Sequence, residues 1–171
     1  MPATYTLISS NVLTSSAASV TFSSIPATYT DLVVRGSARA DQGSQFREIY
    51  LTLNNLTTSI YSFTRLYGTG TTRVSARETA NTPSNTATIF VNDSASTANT
   101  FGSFEIYLPS YTVAQKKPIS LFSAQEDNAT SAYMQIVAEL VDTTAAINEI
   151  KLTCTNFVSG SSFYLYGLSN A

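Results

Sequence analysis

From Ser159 to Leu168 the chain reads Ser-Gly-Ser-Ser-Phe-Tyr-Leu-Tyr-Gly-Leu, the densest apolar and aromatic run in its 171 residues. Successive side chains of a strand point to opposite faces, so Phe163, Leu165 and Gly167 share one face and Tyr164, Tyr166 and Leu168 the other. Neither face is polar. A strand of this kind belongs inside a sheet, with a core beneath it and either a second layer or a partner over its tyrosines.

The rest of the chain supplies neighbours of the same type. Asp31 to Arg39 alternates Leu32, Val34, Gly36 and Ala38 against Asp31, Val33, Arg35, Ser37 and Arg39, and Arg47 to Leu53 sets Ile49, Leu51 and Leu53 against Glu48, Tyr50 and Thr52. Phe101 to Leu108 and Ile147 to Cys154 repeat the pattern, with Phe104, Ile106, Leu108 and then Ile150, Leu152, Cys154 inward. Shorter β-prone pieces run from Thr4 to Ile8, Ala18 to Phe22, Ser59 to Arg65, Thr86 to Val91 and Pro118 to Ala124. Between them lie turn signals such as Asn54-Asn55, Gly68-Thr69-Gly70 and Asn92-Asp93-Ser94. Thr71 to Ser84 is polar and weakly patterned, which predicts an irregular strand followed by an exposed loop. Tyr133 to Val141 fits two periods. Met134, Ile136, Ala138 and Leu140 alternate, while Ile136, Val137 and Leu140 also make a helical stripe, and the segment is read as a strand.

About eleven short strands with turns between them and no long amphipathic helix predict an all-β fold. The reading is a single domain over residues 1–171, a two-sheet antiparallel sandwich. A jelly roll is the preferred form, because its first and last long strands lie in sheet interiors, as a doubly apolar terminal strand requires. An immunoglobulin-like sandwich is the alternative, weakened by the lack of a Cys, Trp, Cys framework. A chain of this length buries roughly 70% of its unfolded surface and needs no staple. Its one cysteine, Cys154, is read as a small buried apolar residue.

Several chemistries are excluded. The chain has no histidine, which removes Ser-His-Asp and Cys-His catalysis and the commonest metal ligand together. Its 11 acidic residues are scattered, and the adjacent pair Glu126-Asp127 reads as a solvated loop rather than a glycosidase dyad. Asn92-Asp93 and Glu126-Asp127-Asn128 read as turn formers rather than calcium ligands. No glycine-rich phosphate loop precedes a helix. The expectation is therefore a non-enzyme, with no catalytic residue, no cofactor and no metal. With three lysines, a net charge of -2 and Lys116-Lys117 as its one adjacent basic pair, the chain does not suit nucleic acid as a partner. No apolar run reaches the roughly 18 residues of a membrane-spanning helix. Met1 to Ser10 lacks a basic start followed by an apolar core, so synthesis in the cytoplasm is expected.

The surface is hydroxyl-rich, with 25 threonines and 24 serines, while charged residues are 12% of the chain. Soluble proteins average about 25% charged residues, and the deficit fits two readings equally: a surface partly covered by sister subunits, or a β-protein solvated by its serine and threonine hydroxyls. Tyr50, Tyr107, Tyr164 and Tyr166 fall opposite the aliphatic sets, and Arg35 and Arg39 lie on a comparable outer face. Tyrosine joins a large apolar area to a polar tip and is enriched where proteins touch. These six residues are the candidate interface. Two other readings stay open: the tyrosines cap the sheet within one chain, or they form a sugar-stacking platform, the latter weakened by the absence of tryptophan.

Tyr5-Thr6-Leu7-Ile8-Ser9-Ser10, followed by Ser19 to Val34 (Ser-Val-Thr-Phe-Ser-Ser-Ile-Pro-Ala-Thr-Tyr-Thr-Asp-Leu-Val-Val), resembles the opening of small β-rich structural proteins of tailed bacteriophages. Asn99-Thr100-Phe101-Gly102-Ser103, Glu105-Ile106-Tyr107-Leu108-Pro109, Thr144-Ala145-Ala146-Ile147 and Gly160 to Gly167 are similar to that group in the same order, whereas Asp41 to Ser84 departs from it. The resemblance implies a non-enzymatic virion protein made in the host cytoplasm. Its expected role is capsid decoration or cementing. Its expected partners are itself, as a homo-oligomer and most simply a homotrimer, and the major capsid protein or other virion proteins. The alternative is a tail or fibre module that binds a host surface glycan through loops between Asp41 and Asn99. A carboxylate-dependent glycan hydrolase is a distant third reading.

Overall fold

The computed structural model describes residues 4–83, 87–128 and 132–169. Within them the alternating runs form twelve strands: β1 (Tyr5–Val12), β2 (Ala17–Phe22), β3 (Asp31–Ala38), β4 (Phe46–Leu53), β5 (Tyr61–Gly68), β6 (Arg73–Asn81), β7 (Ala87–Asn92), β8 (Gly102–Leu108), β9 (Lys117–Gln125), β10 (Tyr133–Val141), β11 (Ile150–Phe157) and β12 (Ser162–Leu168). They pair into an eight-stranded sheet in the order β1-β12-β3-β8-β9-β10-β5-β6 and a four-stranded sheet in the order β2-β11-β4-β7. Every ladder is antiparallel. The all-β, two-sheet sandwich read from the sequence is the observed class.

The connectivity has a simple frame. With the hairpins β5–β6 and β9–β10 set aside, β1 pairs with β12, β2 with β11, β3 with β8 and β4 with β7. First meets last, and the pairing nests inward, as in one long hairpin rolled on itself. The ladders β12–β3 and β11–β4 then close the roll into two sheets of four. Both inserted hairpins extend the same sheet beyond β8.

The core lies between the sheets. Leu32, Val34, Ile106, Phe163 and Leu165 of the large sheet face Ile49, Leu51, Ile89, Leu152 and Cys154 of the small one, all at most 2% exposed. Each such aliphatic side chain gains about 1.5–3 kcal/mol by leaving water, before the entropy of ordering is set against it. Cys154 is free and buried, and burial pushes its thiol up. The inserted part of the core is closed by an aromatic cluster in which Phe46, Phe90 and Tyr133 pack with ring centroids 4.3–5.2 Å apart.

One expectation is adjusted, and two strand readings are borne out. The terminal strand β12 lies inside its sheet, between β1 and β3, but β1 itself is an edge strand whose side chains are exposed apart from the half-buried Ile8. Its partner β12 already has β3 on its other side, so β1 ends the sheet. The weakly patterned stretch from Thr71 forms the nine-residue strand β6, paired with β5 from Arg73 to Glu78 and again at Asn81, with the irregularity expected of it lying between them, where Ala80 has a φ of 55°; Ser84 lies outside the described residues. The ambiguous segment Tyr133–Val141 is a strand in full register with β9.

Candidate functional site

Because the large sheet packs one face on the core, its other face is presented outward, and the cross-strand register shows what that face carries. One lateral row runs unbroken over all eight strands as Ser10, Tyr164, Arg35, Glu105, Phe122, Ile136, Leu66 and Ser75. The next row runs Leu7, Tyr166, Val33, Tyr107, Ser120, Ala138, Thr64 and Arg77. Side chains directly opposite one another on adjacent strands lie close enough to pack. The face is thus a continuous surface rather than a scatter of residues.

Its first half, on β1, β12, β3 and β8, is tyrosine-rich and internally braced. The Tyr5 ring meets the edge of Tyr166 at 6.2 Å between centroids, and the Arg35 guanidinium lies 5.4 Å over Tyr5. Arg35 also donates to Glu105 Oε2 at 2.7 Å, a bond that raises the guanidinium above its ordinary value. Tyr107 donates its hydroxyl to Asp31 Oδ2 at 3.0 Å, and burial, followed by that carboxylate, raises its phenol. Tyr164 and Tyr166 are half-buried on this face, in the strand but not in the core.

The second half, on β9, β10 and β5, is aliphatic. Phe122, Met134, Ile136, Leu140 and Leu66 are 40–59% exposed. Leu66 pairs directly with Ile136, and Ile136 with Phe122. Behind them the same strand turns polar groups inward: Gln135 and Glu139 are 1% and 3% exposed. Among the described residues neither Glu139 carboxyl oxygen has a hydrogen-bond partner, and burial pushes this carboxyl up to about 8.

Four of the six residues singled out from sequence, Arg35, Tyr107, Tyr164 and Tyr166, are therefore brought together on one face. Tyr50 is not with them. It lies on the outer face of the small sheet, donates to Glu48 Oε2 at 3.2 Å, and lines a groove of about 310 Å³ with Thr52, Asn55, Thr57, Lys151 and Thr153. Arg39 also leaves the shared face, because the chain has passed the end of β3. Its guanidinium points into the 94–100 loop and donates to the carbonyls of Thr97, Thr100 and Ser96 at 2.8–3.0 Å. The aliphatic half was missed. Its signal was the ambiguous period of Tyr133–Val141, where both faces carry apolar side chains.

The acidic residues serve the turns they sit in, but of the pair read as a solvated loop only Glu126 is exposed, Asp127 being buried. Asp93, fully buried, accepts backbone N–H bonds from Gln42 and Ser94 at 2.6 and 2.7 Å and pairs with Arg47 at 3.0 Å. Asp127 Oδ2 accepts from Thr97 N, and Glu126 Oε1 accepts from the backbone N–H groups of Asp127 and Asn128. Among the described residues, no group of three or more His, Cys, Asp or Glu is placed to hold a metal ion. The arrangement offers adhesion: wide, weakly charged and braced from below. In comparisons with known proteins, no family model, no curated protein and no solved structure matches this chain.

Proposed function

We propose that the protein is a non-enzymatic structural component of a tailed-bacteriophage virion, a decoration or cement protein that works as a symmetric homo-oligomer. The observation that carries the reading is the outer face of the eight-stranded sheet. Exposed apolar side chains on a soluble domain are ordinarily scattered, and a contiguous field of them marks a contact. Here Tyr5 and Leu7 at one end, and Phe122, Met134 and Ile136 at the other, are all more than 40% exposed on a single face. The nested strand pairing supports a jelly-roll form, an architecture used by capsid proteins. The sequence resemblance supports the virion setting. Adhesion would follow from burying this face against the shell and sister subunits, adding contacts across subunit boundaries.

The test is binding to purified capsids that lack the protein, followed by sedimentation. The wild type should co-sediment in a fixed ratio to the major capsid protein, and Tyr166→Lys should not. Absence of binding, or immunogold label confined to the tail, would overturn the reading. The second reading, a tail or fibre module binding a host glycan, is favoured by the groove beside Tyr50, where an aromatic ring, Lys151 and threonine hydroxyls converge. Tail label together with glycan-array hits abolished by Tyr50→Ala would establish it instead.

A further inference from the structure

We propose that the aliphatic half of the outer face closes on the same half of a second copy, about a two-fold axis running along β10. The inference rests on the face being a contact surface, as proposed above, and specifies its occupant.

The strand β10 is built inside out. Met134 and Ile136 are 59% and 58% exposed, whereas Gln135 and Glu139 are buried. No outward position of β9, β10 or β5 is charged. A contiguous apolar surface of this kind marks a contact.

The borders of the patch say what that is. Two strands to one side, β8 carries Glu105 in the row of Ile136. Two strands to the other side, β6 carries Arg73 and Arg77, one in the row of Met134 and one in the row of Ala138. A two-fold axis along β10 lays the β8 side of one copy over the β6 side of its mate. Each Glu105 then meets two arginines of the other copy, and the contact occurs twice. A two-fold axis across the strands would instead stack glutamate on glutamate and arginine on arginine. Charge complementarity of this kind fixes the register of a docked pair.

The size also fits. The five strands from β8 to β6 span four gaps, about 19 Å at ~4.8 Å each, and about seven residues of strand extend roughly 23 Å. The footprint is roughly 450 Å² per copy and about 900 Å² for the pair, at the low end for a specific, reversible interface. The rest of the tyrosine-rich half, on β1, β12 and β3, stays uncovered in both copies, free for the shell. A single self-complementary patch produces pairs, so the assembly is even-numbered in place of the trimer expected from the resemblance.

Light scattering on the purified protein, over a concentration series, tests this without any capsid. The wild type should give a dimer or a multiple of one. Ile136→Lys should weaken association at least about 100-fold, because it buries two like charges without partners. Leu7→Lys, on the same face but in the tyrosine half, should leave the mass unchanged. Glu105→Arg and the double variant Arg73→Glu/Arg77→Glu should each be monomeric and should associate when mixed. That mixing result decides the matter even if Ile136→Lys fails to fold. A monomeric or trimeric wild type, equal dissociation by Leu7→Lys, or no association of the mixed charge variants would overturn the pairing. A protein that pairs as described yet binds no capsid would overturn the virion reading alone.

Discussion

Ile136 and Glu139 lie three residues apart on opposite faces of β10, and it is the isoleucine that meets water: Ile136 is 58% exposed and Glu139 3%. A one-residue slip would reverse the two faces, and in most sheets the hydrophobic pattern forbids the wrong register. Here the pattern is nearly even. The inward set keeps Val137 and Val141, at 2% and 0% exposed, along with two polar residues, while the outward set holds larger aliphatic groups. Full ladders with β9 and β5 hold the register. The polar groups buried beneath the exposed patch are the cost of presenting it.

That cost should be visible as a pH dependence. The Glu139 carboxyl is pushed up from 4.5 to about 8 by burial, so the folded state keeps a proton that the unfolded state releases. A group of this sign favours folding fully below its unfolded value and loses that contribution as pH rises from about 4.5 to about 8, with a slope near 1.4 kcal/mol per pH unit for one proton. Its chain neighbours across the ladders are Phe63 and Ile119, and the nearby phenol of Tyr61, itself pushed up to about 12, brings no charge below that range. Urea unfolding at pH 5, 7 and 9 should show the wild type losing stability upward through this window. Glu139→Gln should flatten the loss and be more stable at pH 8 by on the order of 2 kcal/mol. Parallel curves for the two proteins would refute the assignment.

A second prediction concerns Gly36 and its cross-strand partner Phe104. The Phe104 ring lies over the bare Gly36 backbone, where an added Cβ would overlap its far edge. Phe104 is 4% exposed, so the ring has no free space to move into. Gly36→Ala should cost about 2–3 kcal/mol, as overpacking in a confined core does. In a double-mutant cycle with Phe104→Leu, most of that penalty should disappear. Simple additivity in thermal or urea unfolding would show that the overlap is not its source.

The buried face of a strand is legible in the sequence only to the extent that its two faces are unequal. Where one face was aliphatic and the other polar, as at Ile49, Leu51 and Leu53 against Glu48, the inward set is the buried one. Where both were apolar, as in Tyr133–Val141, the strand was legible and its orientation was not, because period two says only that two sets alternate. Pairing partners in the frame lie far apart in the chain, so register and the co-planar rows were beyond local pattern. Arg39 illustrates the limit at a strand end. Alternation places it with Arg35, yet beyond β3 the backbone bridges to Asn92 and accepts from Val158 N, and the side chain turns to the carbonyls of the 94–100 loop.

Arg39 should therefore behave as a loop clamp and not as a contact residue. Its guanidinium serves carbonyls of Ser96, Thr97 and Thr100 at once, a task for a planar fork with several donors. Arg39→Lys should destabilise the protein by roughly 1–2 kcal/mol and raise amide exchange in residues 94–100. Oligomer mass should be unchanged. A variant that exchanges normally in this loop but changes its association state would return Arg39 to the interface.

The tyrosine half of the outer face should separate stability from binding. Tyr166 gains an edge-on contact with Tyr5, worth about 0.5–1.5 kcal/mol beyond area burial. The ion pair of Arg35 and Glu105 has side chains 52% and 44% exposed and contributes less than about 1 kcal/mol in water. Tyr166→Ala and Arg35→Ala should thus lower folding stability only modestly. If this face docks on the shell, the same groups become desolvated there, and truncating a central tyrosine or arginine in an interface typically costs about 2 kcal/mol or more. Capsid affinity should then fall at least about 30-fold for each variant, while light scattering shows the pairing through β10 intact. Wild-type affinity in both variants would mean that the shell is met by another surface, and the tyrosines would be left as a cap on their own sheet.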